Sequence, residues 1–331
     1  MTTEFWLQCP PVAEAETIAM VAEESGWDGV QFADGRSGDV FVALARAAGA
    51  TKTVKLATGV VNPVVRHPAV LASAIASVGR LAEPGRMSLG IGRGDSSLHA
   101  VHLRPPGVAA FTEMLIELSV YLRGGSVGGA KGSHVPWLAA QGGCDVEVDV
   151  AATGPRVIEI GAELGDRVTL AVGAQPSAIS WGLERARRGS QEVPVGAVVA
   201  MGVDDTTRDG VVKARGPLSV TVNFAAGALD RAGVMAGEDV AAAERVSQVY
   251  DYDQHARSGS PQAEVLGEAT VRRLAVVGSP EACVERLNEL AELGLSRIVV
   301  MLGTGAPSSD DFVAEIRRVG DAVLGHPGIK R

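Results

Sequence analysis

The stretch "LGIGRGDSS", Leu89 to Ser97, places glycines at every second position, Gly90, Gly92 and Gly94, and sets Arg93, Asp95 and two serines among and after them. Three readings fit it in isolation: a cradle for a nucleotide phosphate, an Arg-Gly-Asp adhesion triplet, or a loop at the mouth of an α/β barrel. A Walker loop requires Gly-Lys followed by Ser or Thr, and none follows here. A dinucleotide fingerprint requires a helix directly after the glycines and an acidic residue ending a second strand at the right distance, and neither is in place. The flanking sequence decides between what remains.

Working outward, short β-branched runs alternate with amphipathic segments. "FWLQC" (5–9) precedes a helix near 13–25, with Ala15, Ile18 and Ala22 on one face. "GVQFA" (29–33) leads to a helix near 40–48, and "VKLATGV" (54–60) to a small-residue helix opened by Pro68. "RMSLGI" (86–91) runs into the opening stretch, and the next helix is expected near 109–122. The pattern resumes with "VEVDVA" (146–151), "RVTLAV" (167–172) and "VPVGAVVAM" (193–201), and closes with "RIVVML" (297–302). About eight strands, each followed by a helix, predict an α/β fold, a single (β/α)8 TIM barrel. One domain spans 1–331. It carries insertions after strand four, at about 123–145, and after strand seven, at about 204–275. The first, "RGGSVGGAKGSH" (123–134), is glycine-rich without periodicity and reads as a surface loop; the second reads as mostly helical.

Bulk properties narrow the function. The chain has 331 residues, 46% of them hydrophobic and only 4% aromatic, with 41 glycines, so a large core of small-residue packing is within reach. A formal charge of −9 argues against nucleic acid, whose phosphates demand clustered Lys and Arg. Cys9, Cys144 and Cys283 are scattered and odd in number, which predicts a reducing cytoplasm and no metal site. The N-terminus "MTTEFWLQCPP" lacks the basic and apolar regions of a signal peptide, and no run approaches a membrane span. A cytoplasmic chain never meets an integrin, so the adhesion reading falls.

In a TIM barrel the loops after the strands build the active site. Strand two ends in Asp34-Gly35-Arg36, and strand three runs into "TGVVNPVVRHP" (58–68). Strand five ends in "AATGPR" (151–156), where free amides at a helix start and the charge of Arg156 make an anion site. His67 reads as a cap for the helix begun by Pro68. The segment "VYDYDQHARSGSP" (249–261), with two tyrosines and His255, shapes a substrate pocket or forms a helical hairpin, and His99 and His102 read as surface residues. Trp6, near a strand end, packs in the core or faces the pocket.

The segments "GVQFADG", "LATGVVNPVVRHPAVLASAIASVGRLAEPGRMSLGIGRGDSS", "AATGPRVIEIGAELGDRVTLAVGA" and "VVGSPEACVERLNELAELGLSRIVVML" resemble the bacterial luciferase-like superfamily. The Asn-Pro and Arg-His-Pro run is most similar to its coenzyme F420-dependent oxidoreductases of the methylenetetrahydromethanopterin reductase type. The resemblance implies a flavin-like ring at the C-terminal ends of the strands, met by a non-proline cis peptide whose counterpart here is Gly59–Val60. It implies that Asp34 and Asn62 contact the cofactor's ring edge and tail, and that Arg93 and Gly94 line the same groove. Ala152, Thr153, Gly154, Pro155 and Arg156 would hold its phosphate. Asp95 falls where deazaflavin dehydrogenases carry a catalytic carboxylate. Two positions depart from relatives: Gly35 replaces a histidine after Asp34, and Gln8 stands where some reductases carry an acid. The implied activity is hydride transfer between F420 and a small organic substrate, acting on CH–OH or CH–N groups, in a homodimer. The alternatives are an FMN-dependent monooxygenase and a non-catalytic flavin-binding relative.

Overall fold

In a computed structural model, which describes residues 2–10, 12–35, 37–94, 96–129, 131–303 and 309–331, each β-branched run is a strand. The strands are β1 (Glu4–Cys9), β2 (Gly29–Phe32), β3 (Lys55–Thr58), β4 (Met87–Ile91), β5 (Glu147–Ala152), β6 (Arg167–Leu170), β7 (Val195–Val203) and β8 (Arg297–Leu302). All are parallel and each pairs with its neighbours in chain order. The cylinder closes where β8 pairs with β1, from Glu4 opposite Arg297 to Leu7 opposite Val300. This is the (β/α)8 TIM barrel that the alternation predicts.

The main core lies between strands and outer helices, because a strand's alternate side chains point outward onto them. The helix Ala15–Glu24, for example, buries Ala15, Ile18, Ala19 and Ala22 at helical spacing. The barrel interior is a separate small cluster of Trp6, Ala57, Val198 and Val299. Trp6 therefore does not face a pocket: it is wholly buried in the barrel and donates Nε1 to Glu4 Oε2 at 2.9 Å. The guanidinium of Arg297 sits 3.8 Å from the Trp6 ring centre and pairs with Glu4, Glu147 and Asp149 at 3.1–3.3 Å. Glu4, Glu147 and Arg297 begin their strands, so charge seals the N-terminal end and leaves the C-terminal end for function.

The connections differ from expectation in three places. The stretch after strand four is not a bare loop: Ser126–Val127 and Ser133–His134 form an antiparallel hairpin, followed by the helix Pro136–Ala140. Gly128 and Gly129, both at positive φ, make its turn, and two-residue strands are too short to show a period. A one-turn helix, Ser96–Ala100, directly follows the glycine stretch, ahead of the expected one at Val108–Leu122. Between β7 and β8 lie the helices Thr207–Arg231, Gly237–Val249, Pro261–Glu264 and Glu268–Leu274, then an extra strand, Val276–Gly278, pairing with the end of β7. Among the described residues no helix is long and apolar enough to cross a membrane.

Candidate active site at the C-terminal mouth

The glycine stretch is explained by what lies against it. Thr58, the last residue of β3, donates Oγ1 to the Gly90 carbonyl at 2.7 Å. The Gly59–Val60 peptide bond that follows is cis. Val61 then donates to the Gly90 carbonyl at 3.0 Å, and Gly92 donates to the Val61 carbonyl at 2.9 Å. The chain thus stays joined to β4 through the cis segment. A Cβ on Gly90 would lie 2.1 Å from the Thr58 oxygen, and one on Gly92 would lie 3.0 Å from Val60 Cγ2. These two glycines admit the neighbouring chain. Gly94 has a different reason: its φ of +93° starts the turn into Ser96–Ala100.

The side chain of Gln31 touches Gly59 and donates Nε2 to Gln8 Oε1 at 3.0 Å. A neutral amide pair from β1 and β2 therefore supports the cis segment, so Gln8 is engaged with a partner from the adjacent strand. Asp34, beyond β2, is gripped by Arg66, whose guanidinium also reaches Asp39 at 2.9 Å and lies 5.5 Å from the centre of the Phe41 ring. Burial works against the Arg66 charge, but the hydrogen bonds to Asp34 and Asp39 outweigh it and hold its pKa above the ordinary value. Asn62 is buried. Its Oδ1 accepts from the amides of Val64 and Val65, and its Nδ2 donates to Ser97 Oγ at 3.0 Å. Both residues sit at the mouth, each already tied to protein partners that sequence spacing does not reveal. His67 caps its helix as expected, accepting from the amide of Ala69.

On the β4–β5 side, a cleft of about 340 Å³ brings together Arg93, Gly154, Pro155 and Arg156. Gly154 occupies the N-cap of the helix Pro155–Leu164 and offers no side chain to the first-turn amides, which leaves them available to an anion. Arg93 is steered by the Pro106 carbonyl, which accepts its Nε at 2.9 Å. Three further residues of this cleft were not legible in the sequence: Trp181, Arg185 and Arg231. They come from the helices Pro176–Gly189 and Thr207–Arg231, and no motif marks them. A larger groove of about 540 Å³ lies between the helices Ala15–Glu24 and Ser309–Val319, on the outer wall rather than at the mouth.

The insertion after β7 covers the strand-four loop. Tyr252 stacks on His99 of Ser96–Ala100 at 3.9 Å, and Tyr250 is hydrogen-bonded to His255 Nδ1 at 2.9 Å. Phe224 meets Tyr250 edge-on at 5.9 Å. The insertion thus sets an aromatic cluster against the helix Ser96–Ala100 that follows β4. Asp95 lies outside the described residues.

A family model described as luciferase-like monooxygenase matches residues 2–297. The chain belongs to the luciferase-like monooxygenase family. Over 334 residues it is 28% identical to 5,10-methylenetetrahydromethanopterin reductase of Methanolobus tindarius, covering 95% of this chain and 97% of that one. Over 87 residues, 23% of this chain and 26% of the other, it is 39% identical to the F420-dependent glucose-6-phosphate dehydrogenase of Beutenbergia cavernae. Its fold superposes on the coenzyme F420-dependent tetrahydromethanopterin reductase of Methanopyrus kandleri with a TM-score of 0.74 at 20% identity, over 98% of this chain and 99% of that one.

Proposed function

We propose that this protein is an F420-dependent oxidoreductase that moves a hydride between the deazaflavin and a small organic substrate at the barrel mouth. The observation that carries the reading is the cleft at the end of β5, where Arg93 and Arg156 meet the open amides of a helix start in a chain of net charge −9. Such a site suits the phosphorylated, acidic tail of F420. The full-length likeness to a methylenetetrahydromethanopterin reductase supports the same assignment. When bound, F420 supplies the hydride chemistry.

The chain's own residues supply the rest. Ala152 to Arg156 hold the phosphate, and Arg93 neutralises the tail. The segment Gly59–Val60 backs the ring, supported by Gln31. Asp34, held by Arg66, and Asn62, held by Ser97, fix the loops that frame the ring edge. Tyr250, Tyr252 and His255 close the substrate side. Asp95, on sequence position alone, is assigned the proton transfer that accompanies hydride movement. The family's description as monooxygenases favours a second reading, an enzyme that uses reduced FMN.

Titration with each cofactor separates the two readings. F420 is expected to bind and FMN to bind weakly or not at all; tight FMN binding without F420 binding overturns the proposal. Asp95→Asn is expected to keep F420 binding while lowering turnover by ~10²–10⁴, the range for a lost general acid or base. Full turnover across the pH range would remove Asp95 from the assignment.

A further inference from the structure

The cleft at the end of β5 carries more positive charge than one phosphate uses. Four arginines line it, Arg93, Arg156, Arg185 and Arg231, and none of its described lining residues is a carboxylate. Arg185 pairs with Glu159 at 3.2 Å. Trp181 lines the same cleft and is 9% exposed, and its Nε1 is buried with no hydrogen-bond partner among the described residues. An indole N–H left this way marks a place where an acceptor from outside the chain fits.

The placement of these groups is ordered. Arg156 and the open amides stand at the start of Pro155–Leu164, the position suited to a phosphate. Arg185 and Trp181 come from the next helix, and Arg231 ends the long helix of the insertion after β7. They line the same cleft as Arg156. The phosphodiester of F420 carries a single negative charge, and each γ-glutamyl residue beyond it adds a carboxylate. FMN ends at its phosphate and has nothing to set against Arg185 and Arg231.

Resting on the F420 reading above, we propose that Arg185, Arg231 and Trp181 form a receptor for the oligoglutamyl tail, so that this enzyme selects its cofactor by tail length. The guanidinium groups bind the tail carboxylates, and the indole N–H donates to a carboxylate or amide oxygen. Each engaged charge adds salt dependence, because the site is open to solvent.

The test is a fluorescence titration of the purified enzyme with the deazaflavin bearing no glutamate and bearing a long γ-glutamyl tail, at low and at high salt. The long-tailed form is expected to bind at least ~10-fold tighter at low salt, as one or two charge-assisted hydrogen bonds provide. High salt is expected to shrink that margin. The double variant Arg185→Gln, Arg231→Gln is expected to reduce the ratio to about twofold or less, with the far-ultraviolet circular dichroism of the parent enzyme. Equal binding of the two forms by the parent enzyme overturns the tail receptor and leaves the F420 assignment standing. A tail preference that survives in the double variant also overturns it. Binding of FMN with no binding of either deazaflavin overturns the F420 assignment and the receptor together.

Discussion

Arg156 is the second residue of its helix, exposed, and two residues past an N-cap that has no side chain. Its charge shares a cleft with the uncapped helix start, and the proposal has both meet one anion. Arg156→Ala is expected to weaken cofactor binding by ~1.5–3 kcal/mol, the range for a charged hydrogen bond. An unchanged dissociation constant would place the phosphate elsewhere. Arg297, at the opposite end of the barrel, is 2% exposed and serves three carboxylates. Burial opposes ionisation of Glu4 and Glu147, yet Lys55 and Arg297 in the first case, and Arg297 and Arg167 in the second, hold both below the ordinary carboxylate value. Asp149, more deeply buried, is raised despite Arg297. Glu4 and Glu147 therefore stabilise the fold above the ordinary carboxylate range, and that stability is lost as pH falls through their depressed values. Arg297→Met removes the one counter-charge that all three share and leaves Lys55 and Arg167, so all three shift upward and the penalty grows as pH rises through the unfolded-state values. The variant is expected to lose ~3–5 kcal/mol at neutral pH and less in acid. Thermal melts at both pH values check this, and equal losses at both would contradict it.

At the scale of elements, the junction of β3 and β4 sets the shape of the mouth. The alternating glycines of "LGIGRGDSS" were legible as a special loop, but their reason was not. Gly90 yields to the carbonyl of Thr58, a residue 32 positions away in the chain, which no local pattern names. Gly90→Ala would press a methyl group into backbone that has no rotamer with which to yield. We expect it to cost ~1–3 kcal/mol or more, lowering the melting temperature by at least ~2–4 °C and weakening cofactor binding. A parental melting temperature would show that the β3 end can shift freely. The strands themselves were readable to within about two residues, because alternation and β-branching are local signals. The hairpin after Val108–Leu122 and the strand Val276–Gly278 were not, because two or three residues carry no period.

At the scale of the whole molecule, the outer helices leave apolar surface uncovered. Val42 is 60% exposed, Val70 55% and Ile116 47%. They belong to the helices Val40–Ala50, Pro68–Gly79 and Val108–Leu122, which pack successively against one another on one side of the barrel. The sequence shows the middle helix to be apolar on nearly all faces, and a second copy of the chain is the proposed cover. Light scattering at micromolar concentration is expected to report a homodimer and Val70→Glu to shift it toward monomer. A monomeric parent protein would refute the proposal.

What the sequence determined by itself was the alternation of strands and helices, hence the barrel and the direction of its strands. Hydrophobic period, helix-opening prolines and capping residues act over a few residues, so they can be read without knowing what lies opposite. The partners were decided only in three dimensions. That Arg66 holds Asp34 could not be read from the chain; Trp6, read as core or pocket-facing, is buried beneath Arg297. Arg185 and Arg231 had no motif at all, yet they share a cleft with Arg93 and Arg156. Barrel closure brings the ends of successive strands together and sets residues from distant parts of the chain side by side, and a charge or an amide acquires its role from the neighbours that closure gives it.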